Sequence, residues 1–331
     1  MRIPLRQMKD EFYRVLIKHG FSSDDAASCA EVFAANSLDG IYSHGVNRFA
    51  RFIAYVDEGV IQVNNKPELI YSFASLEQWN GNACAGPLNA LFATDAAMRL
   101  AKQYGIGCVG LSNTNHWMRG GAYGWKAAKE GFLLIAFTNT SGVMPAWGAK
   151  DARLGNDPMV IAVPHGNEAV VLDMAISQFS YGALETASLK KEQLGVPGGY
   201  DDEGKLTTDP AAIYASRRPL PIGYWKGSGL ALMLDILATI LSGGKSTHEI
   251  SKDKETGVSQ VFIAIDISKL NNYPLIQSSV ENIIKDYHDS LPINEKSDIT
   301  YPGERVLRSR KRNTEEGIPV EDSIWNEILQ L

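Results

Sequence analysis

The sequence predicts an α+β fold, with an N-terminal helical domain over residues 1–67 and a largely antiparallel mixed sheet flanked by helices over 68–291. Three observations carry this expectation. Apolar residues recur at helical spacing up to about residue 60, and short β-branched and aromatic runs begin near residue 68. Pro164-His165-Gly166-Asn167 joins two of those runs as a hairpin turn, which makes that pair antiparallel. Strict strand–helix alternation, the mark of a parallel sheet, is missing.

Leu5, Met8, Phe12 and Leu16 define a first helix. Ser22-Ser23-Asp24-Asp25 supplies the cap of a second, which carries Ala26, Cys29, Val32 and Phe33 on one face and ends at Gly40. A third starts after Ser43-His44-Gly45, with Val46, Phe49, Ile53 and Val56 on its apolar side. Strands are expected at 69–73, 108–111, 133–137, 160–163, 169–172 and 261–265, and helices at 87–104, 120–130, 226–242 and 274–290. The longest apolar run, 230–241, holds Asp235 in its middle and reads as a core helix. Residues 195–222 and 243–258 read as loops. The polar stretch 292–318 precedes a last helix with Ile324, Trp325, Ile328 and Leu329, and 292–331 is expected to rejoin the helical domain.

A formal net charge of −6 argues against nucleic acid or an anionic membrane surface as the main partner. The basic run Arg305, Arg308, Arg310, Lys311 and Arg312 therefore reads as a solvated face. Three scattered cysteines, Cys29, Cys84 and Cys108, read as buried apolar residues of a reducing compartment. The first residues lack the apolar core of a signal peptide, and no apolar run reaches the roughly 18 to 20 residues of a membrane span. A cytoplasmic protein is expected.

Two familiar patterns fail on context. Gly105-Ile106-Gly107-Cys108-Val109-Gly110 fits a glycine-rich dinucleotide fingerprint, but a helix precedes it and a strand follows, the reverse of the required order. Gly244-Lys245-Ser246 resembles the end of a phosphate loop, yet Thr239 stands where its first glycine belongs.

Five stretches can carry chemistry. His44 and Arg48 lie about one turn apart at the start of the third helix; an imidazole can hand a proton to a carbonyl oxygen while a guanidinium grips a carboxylate. A cap histidine and a solvated arginine are the alternative. Asn115 and His116 stand in a polar loop after a strand, followed by glycines that open a helix, where ligands commonly bind. Gly223 to Gly229, with Trp225 and Lys226, places free amides and a lysine at a helix start, suited to an anion or to a tight turn. Asp173 at a strand end can accept hydrogen bonds from ribose hydroxyls or simply end the strand, and Tyr301-Pro302-Gly303-Glu304 is a weaker candidate. No histidine or carboxylate pair has metal-ligand spacing.

The words S-H-G-V-N-R-F (43–49), N-H-W-M-R-G-G (115–121), A-W-G-A-K (146–150), F-S-Y-G (179–182) and G-Y-W-K-G-S-G (223–229) resemble those of the malate/L-lactate dehydrogenase family, which is unrelated to the Rossmann dehydrogenases. The resemblance runs over nearly the whole chain. It implies a homodimer with a non-Rossmann, NAD-binding and catalytic sheet domain, in which NADH or NADPH reduces a small 2-oxo acid, with 2,3-diketo-L-gulonate the expected substrate. It also implies His44 and His116 as catalytic residues, with His44 the proton donor, and Arg48 and Asn115 as substrate neighbours. The cofactor stretches it implies are Ala169, Val170, Val171, Leu172, Asp173, Met174 and Ala175, then Trp225 and Lys226, then Gly303, Glu304 and Arg305. Asn156 and Asp157 stand where the family commonly has Thr and Asn, and Ile176 replaces a common Thr; such departures bear on the choice between NADH and NADPH. Malate, lactate, sulfolactate or ureidoglycolate dehydrogenases and cyclic imine carboxylate reductases are the alternatives within the family. A nucleotide-binding protein without catalysis is the alternative from another class.

Overall fold

Seven strands form the central sheet of the protein, seen in a computed structural model that describes residues 1–295 and 297–331. In chain order the main elements are α1 (Leu5–Lys18), α2 (Ser23–Leu38), α3 (Val46–Asp57), β1 (Glu68–Phe73), β2 (Leu76–Asn80), α4 (Gly86–Tyr104), β3 (Ile106–Asn115), α5 (Gly121–Lys129), β4 (Phe132–Thr138), β5 (Met159–His165), β6 (Glu168–Met174), α6 (Tyr181–Leu189), α7 (Pro210–Ser216), α8 (Trp225–Ser242), β7 (Thr256–Asp266), α9 (Tyr273–His288), α10 (Glu304–Glu316) and α11 (Asp322–Gln330). The sheet order is β1-β2-β3-β7-β4-β5-β6. Among the described residues only β2 and β3 pair in parallel; the other neighbours are antiparallel. The predicted hairpin joins β5 to β6, with His165 opposite Glu168.

Local signals explain most boundaries. Ser22 caps α2 by accepting the Asp25 N–H at 3.3 Å, and Asp24 and Asp25 complement the helix dipole. The central strand β7 is buried on both faces through most of its length, as its apolar run requires. In the N-terminal layer Phe12, Phe33, Phe49 and Phe52 pack ring against ring. Ile318, Val320, Trp325 and Ile328 enter the same core, and Arg2–Ile3 pairs with Ile318–Pro319. A second core lies between α4, α5 and the sheet, and a third beneath α8.

Several expectations need correction. The five-residue strand β2 escaped notice because Glu77, Gln78 and Asn80 dilute its apolar pattern. Residues 195–222 are not all loop: Gly199–Tyr200 pairs with Leu206–Thr207, and α7 starts at Pro210 behind an Asp209 cap. Residues 304–316 of the polar stretch form helix α10, which packs Val306 and Leu307 against the second core and is otherwise held by polar contacts of Arg308, Arg310 and Asn313. Arg310 pairs with buried Asp39 and lies over the Trp125 ring, so the basic run is not uniformly solvated. Cys29 and Cys84 are buried, but Cys108 only partly so.

Helix α8 is the largest departure. Ala231, Leu234 and Ala238 pack inward, whereas Leu232, Met233, Ile236, Leu237 and Ile240 are between 38% and 66% exposed. By length and composition alone this helix is long and apolar enough to cross a membrane, and 28% of it is buried. Asp235, at its centre, turns inward and accepts from Asn139 Nδ2 and Thr247 N–H, each at 2.8 Å. Apart from Asp235 and Thr239 the run is apolar and carries little periodicity, so the sequence could not tell its inner from its outer face.

Candidate active site

The turn bearing His44 is fastened to α2. Asn36 donates its amide to the His44 carbonyl at 2.9 Å, and Ser37 Oγ accepts the Val46 N–H at 2.8 Å. Gly45 permits this approach, since a Cβ there would lie 2.3 Å from Ser37 Oγ. Arg48 follows on the first turn of α3. From the other side, β3 ends at Asn115 and delivers His116, against whose carbonyl the start of α4 rests. Gly86 makes that possible, because a Cβ there would lie 2.0 Å from the His116 oxygen.

The two imidazoles, 72 positions apart in sequence, face each other with ring centroids 5.6 Å apart and planes inclined by 20°. His116 Nδ1 accepts the Met118 N–H at 2.9 Å, which places the proton of the neutral ring on Nε2. Met118 holds this geometry at φ 65°, an uncommon conformation for a long side chain. Ser43 Oγ lies 3.1 Å from His44 Nδ1. Burial, then Arg48 and Arg119, lower the His44 pKa to about 4, and burial with His44 and Arg48 pushes His116 well below its ordinary value. Both rings are neutral at pH 7.

A narrow cleft beside them is lined by Arg48, Arg51, Tyr55, Asn115, His116 and Glu255. The Arg48 side chain has no hydrogen bond or ion pair among the described residues, although it is half-buried. A guanidinium in that state is ready to take an anion. Asn115 also lines the cleft, but its amide nitrogen is committed to the carbonyls of Ala83 and Cys84 at 2.8 and 3.0 Å. Sequence reasoning missed Glu255, Arg51 and Ser141. Glu255 lies within the polar stretch 243–258 read only as loop, and its Oε2 accepts from Ser141 N–H and Oγ at 3.3 and 3.2 Å.

The predicted cofactor stretches gather around the edge strand β6. Val171 donates its N–H to the Pro302 carbonyl at 2.9 Å, which brings Gly303, Glu304 and Arg305 beside Ala169 to Ala175. Glu304 is held by His288 and Arg308 at 2.9 and 2.7 Å. Beyond the other end of β6, the Ile222 N–H reaches the Ile176 carbonyl at 2.8 Å and draws in the turn that leads to Trp225 and Lys226. Tyr224 in that turn has φ 60°. Ser177 Oγ is buried there without a partner among the described residues, and Trp125 Nε1, under Arg310, is in the same state.

Asp173 has a second task beyond the one expected. Its Oδ2 accepts the Gly121 N–H at 2.9 Å, at the start of α5, and lies 3.7 Å from Arg119 Nε. Arg119, missed in the sequence because it reads as an ordinary loop cation, is buried and pairs in turn with Asp39, which also binds Arg310. This chain of charges connects the helical layer, the His116 loop and the end of β6. Asp157, one of the departures noted in the sequence, is buried and accepts the Thr140 N–H at 2.9 Å; burial and Asp235 raise its carboxyl well above the usual range.

Comparison with known proteins shows what the chain as a whole is similar to. The profile of the family described as malate/L-lactate dehydrogenase matches residues 3–329. The 2,3-diketo-L-gulonate reductase of Klebsiella pneumoniae (strain 342) is 44% identical over 333 residues, covering 100% of each chain. Malate dehydrogenase from Pyrococcus horikoshii OT3 superposes with a TM-score of 0.91 at 28% identity, covering 100% of this chain and 95% of that one. Sulfolactate dehydrogenase from Methanocaldococcus jannaschii gives 0.92 at 27% identity, covering 99% and 95%.

Proposed function

This chain belongs to the malate/L-lactate dehydrogenase family, and from that premise we propose that it reduces a small 2-oxo acid, 2,3-diketo-L-gulonate, at the cleft between His44, Arg48 and His116. It is an oxidoreductase of that family. The observation that carries the reading is the unpaired, half-buried Arg48 guanidinium beside two neutral, mutually stacked imidazoles.

Arg48 takes the substrate carboxylate in a bidentate grip and so fixes the position of the neighbouring carbonyl. His116 donates its Nε2 proton as a hydrogen bond to the carbonyl oxygen, in a tautomer set by Met118. His44 delivers the proton that the alkoxide needs. The bound carboxylate offsets the Arg48 charge, one of the influences that hold the His44 pKa down, so substrate favours the protonated donor. Asn115 acts on the substrate indirectly, by holding the His116 loop to the backbone around Ala83 and Cys84.

A nicotinamide cofactor supplies hydride when bound. The donor set around β6 fits it: the amides and Lys226 at the start of α8 suit phosphates, the unpartnered Ser177 hydroxyl offers a further donor, and Trp225, 65% exposed, offers a flat apolar face. Ala169 to Ala175 and Gly303 to Arg305 form the floor and flank of that site. NADH is the proposed cofactor, with NADPH the alternative.

The helical layer with its C-terminal segment and the sheet with its flanking helices act as two domains, the cleft lying at their junction. The uncovered face of α8 is taken by a second copy of the chain, giving a homodimer. The free thiols suit a reducing compartment, the cytoplasm.

The test is NADH oxidation by the purified protein against 2,3-diketo-L-gulonate, oxaloacetate, pyruvate and a cyclic imine carboxylate. Oxidation dependent on the diketo acid is expected. Absence of turnover with every 2-oxo acid, with either nicotinamide cofactor, would remove the reading.

A further inference from the structure

We propose that Glu255 selects the substrate class of this cleft: its free oxygen accepts hydrogen bonds from hydroxyls on the far part of a polyhydroxylated 2-oxo acid, and its charge excludes dicarboxylates. The inference rests on the reductase reading above and deepens it.

Glu255 is placed from both sides. It immediately precedes β7, and its neighbour Lys254 pairs with Glu58, beyond the end of α3, at 2.6 Å. Ser141 directs two hydrogen bonds to Oε2, whereas Oε1 receives none among the described residues. The side chain lines the cleft with Arg48, Arg51 and His116. Burial raises its carboxyl, while Ser141, Arg48 and Arg51 oppose that rise. It forms no ion pair within 4 Å with either arginine.

Two guanidinium groups and one carboxylate leave the cleft a single positive charge, matched to a monoanion. Once Arg48 holds the substrate carboxylate, Glu255 is left to meet what lies further along the substrate. A methyl group there covers the half-buried carboxylate and leaves Oε1 without solvent or a partner of its own, which is costly. A second carboxylate meets like charge at short range. Hydroxyl groups donate charge-assisted hydrogen bonds to Oε1, the one arrangement that satisfies the site. Sites built to bond a hydroxyl reject analogues that lack it more strongly than apolar pockets distinguish methylenes.

A bland role for Glu255 is to hold Arg48 in place as a distant counter-charge. Loss of such a residue would lower kcat/KM for every 2-oxo acid by a common factor. Selection predicts unequal effects instead.

The experiment measures kcat/KM with NADH for 2,3-diketo-L-gulonate, pyruvate and oxaloacetate in the wild type, Glu255→Gln and Glu255→Ala, after thermal unfolding has shown that each variant is folded. In Glu255→Ala the ratio of the diketo acid to pyruvate should fall by about tenfold or more. The ratio of oxaloacetate to pyruvate should rise in both variants. Glu255→Gln keeps an acceptor for Ser141, so it reads the loss of charge even if the alanine variant fails to fold. Parallel losses on all three acids, or unchanged ratios, would overturn the proposal while leaving the reductase reading intact. A wild type inactive on all 2-oxo acids would instead remove both.

Discussion

At the scale of single residues, His44 and Arg48 are legible as candidates because imidazole and guanidinium, one turn apart at a helix start, already suggest proton transfer beside a carboxylate grip. Their meeting with His116 was not, since 72 positions of chain separate the rings and only the close contacts allowed by Gly45 and Gly86 bring them together. Glu255 and Arg119 were invisible for the same reason: each looks like an ordinary polar loop residue until its partners are known. The charge state of His44 yields a pH prediction. Its pKa is lowered to about 4, so in the free protein the donor form becomes scarcer as pH rises above that value. Because kcat/KM reports groups of the free enzyme, reductive kcat/KM should fall with rising pH, approaching tenfold per unit. The kcat profile should break at higher pH, since bound carboxylate offsets Arg48. In the oxidative direction a neutral His44 is the required base, so that rate should instead rise and level off. A reductive kcat/KM that is flat between about pH 5 and 8 would deny His44 the donor role.

Among the elements, the hairpin β5–β6 and the helices α1 to α5 followed from periodicity, caps and a turn tetrapeptide. The sequence hid β2, α7 and α10, each for a physical reason. The strand β2 carries polar residues inside a parallel pair, α7 is only seven residues long, and α10 has just Val306 and Leu307 packed against a core, the rest of its hold coming from polar contacts such as Arg310 with Trp125 and Asp39. Helix α8 was recognised as a helix but misplaced in depth. Its exposed face, Leu232, Met233, Ile236, Leu237 and Ile240, is the proposed seat of a second copy. Ile236→Lys, 40% exposed in the single chain, should therefore convert a dimer to a monomer in light scattering while the far-ultraviolet dichroism stays native. A wild type that is monomeric at all concentrations would refute this use of α8.

For the molecule as a whole, the fold class was legible because a mixed, largely antiparallel sheet leaves alternating and hairpin signals that a parallel sheet does not. The same contrast exposed the false glycine fingerprint: Gly105 closes α4 and leads into β3, so no helix dipole follows those glycines. The proposed site lies where the helical layer meets the sheet, each contributing one histidine, and Arg119, Asp39 and Asp173 tie the two layers to the edge strand proposed for the cofactor. The proposed chemistry thus depends on the registry of the two layers, which short sequence words cannot express. The measurement that tests the account most directly is NADH oxidation with 2,3-diketo-L-gulonate by wild type and His44→Ala, with NADH affinity followed by quenching of tryptophan fluorescence. The account predicts a loss of roughly 10²–10⁴ in kcat with NADH binding retained. Undiminished turnover in His44→Ala would contradict it.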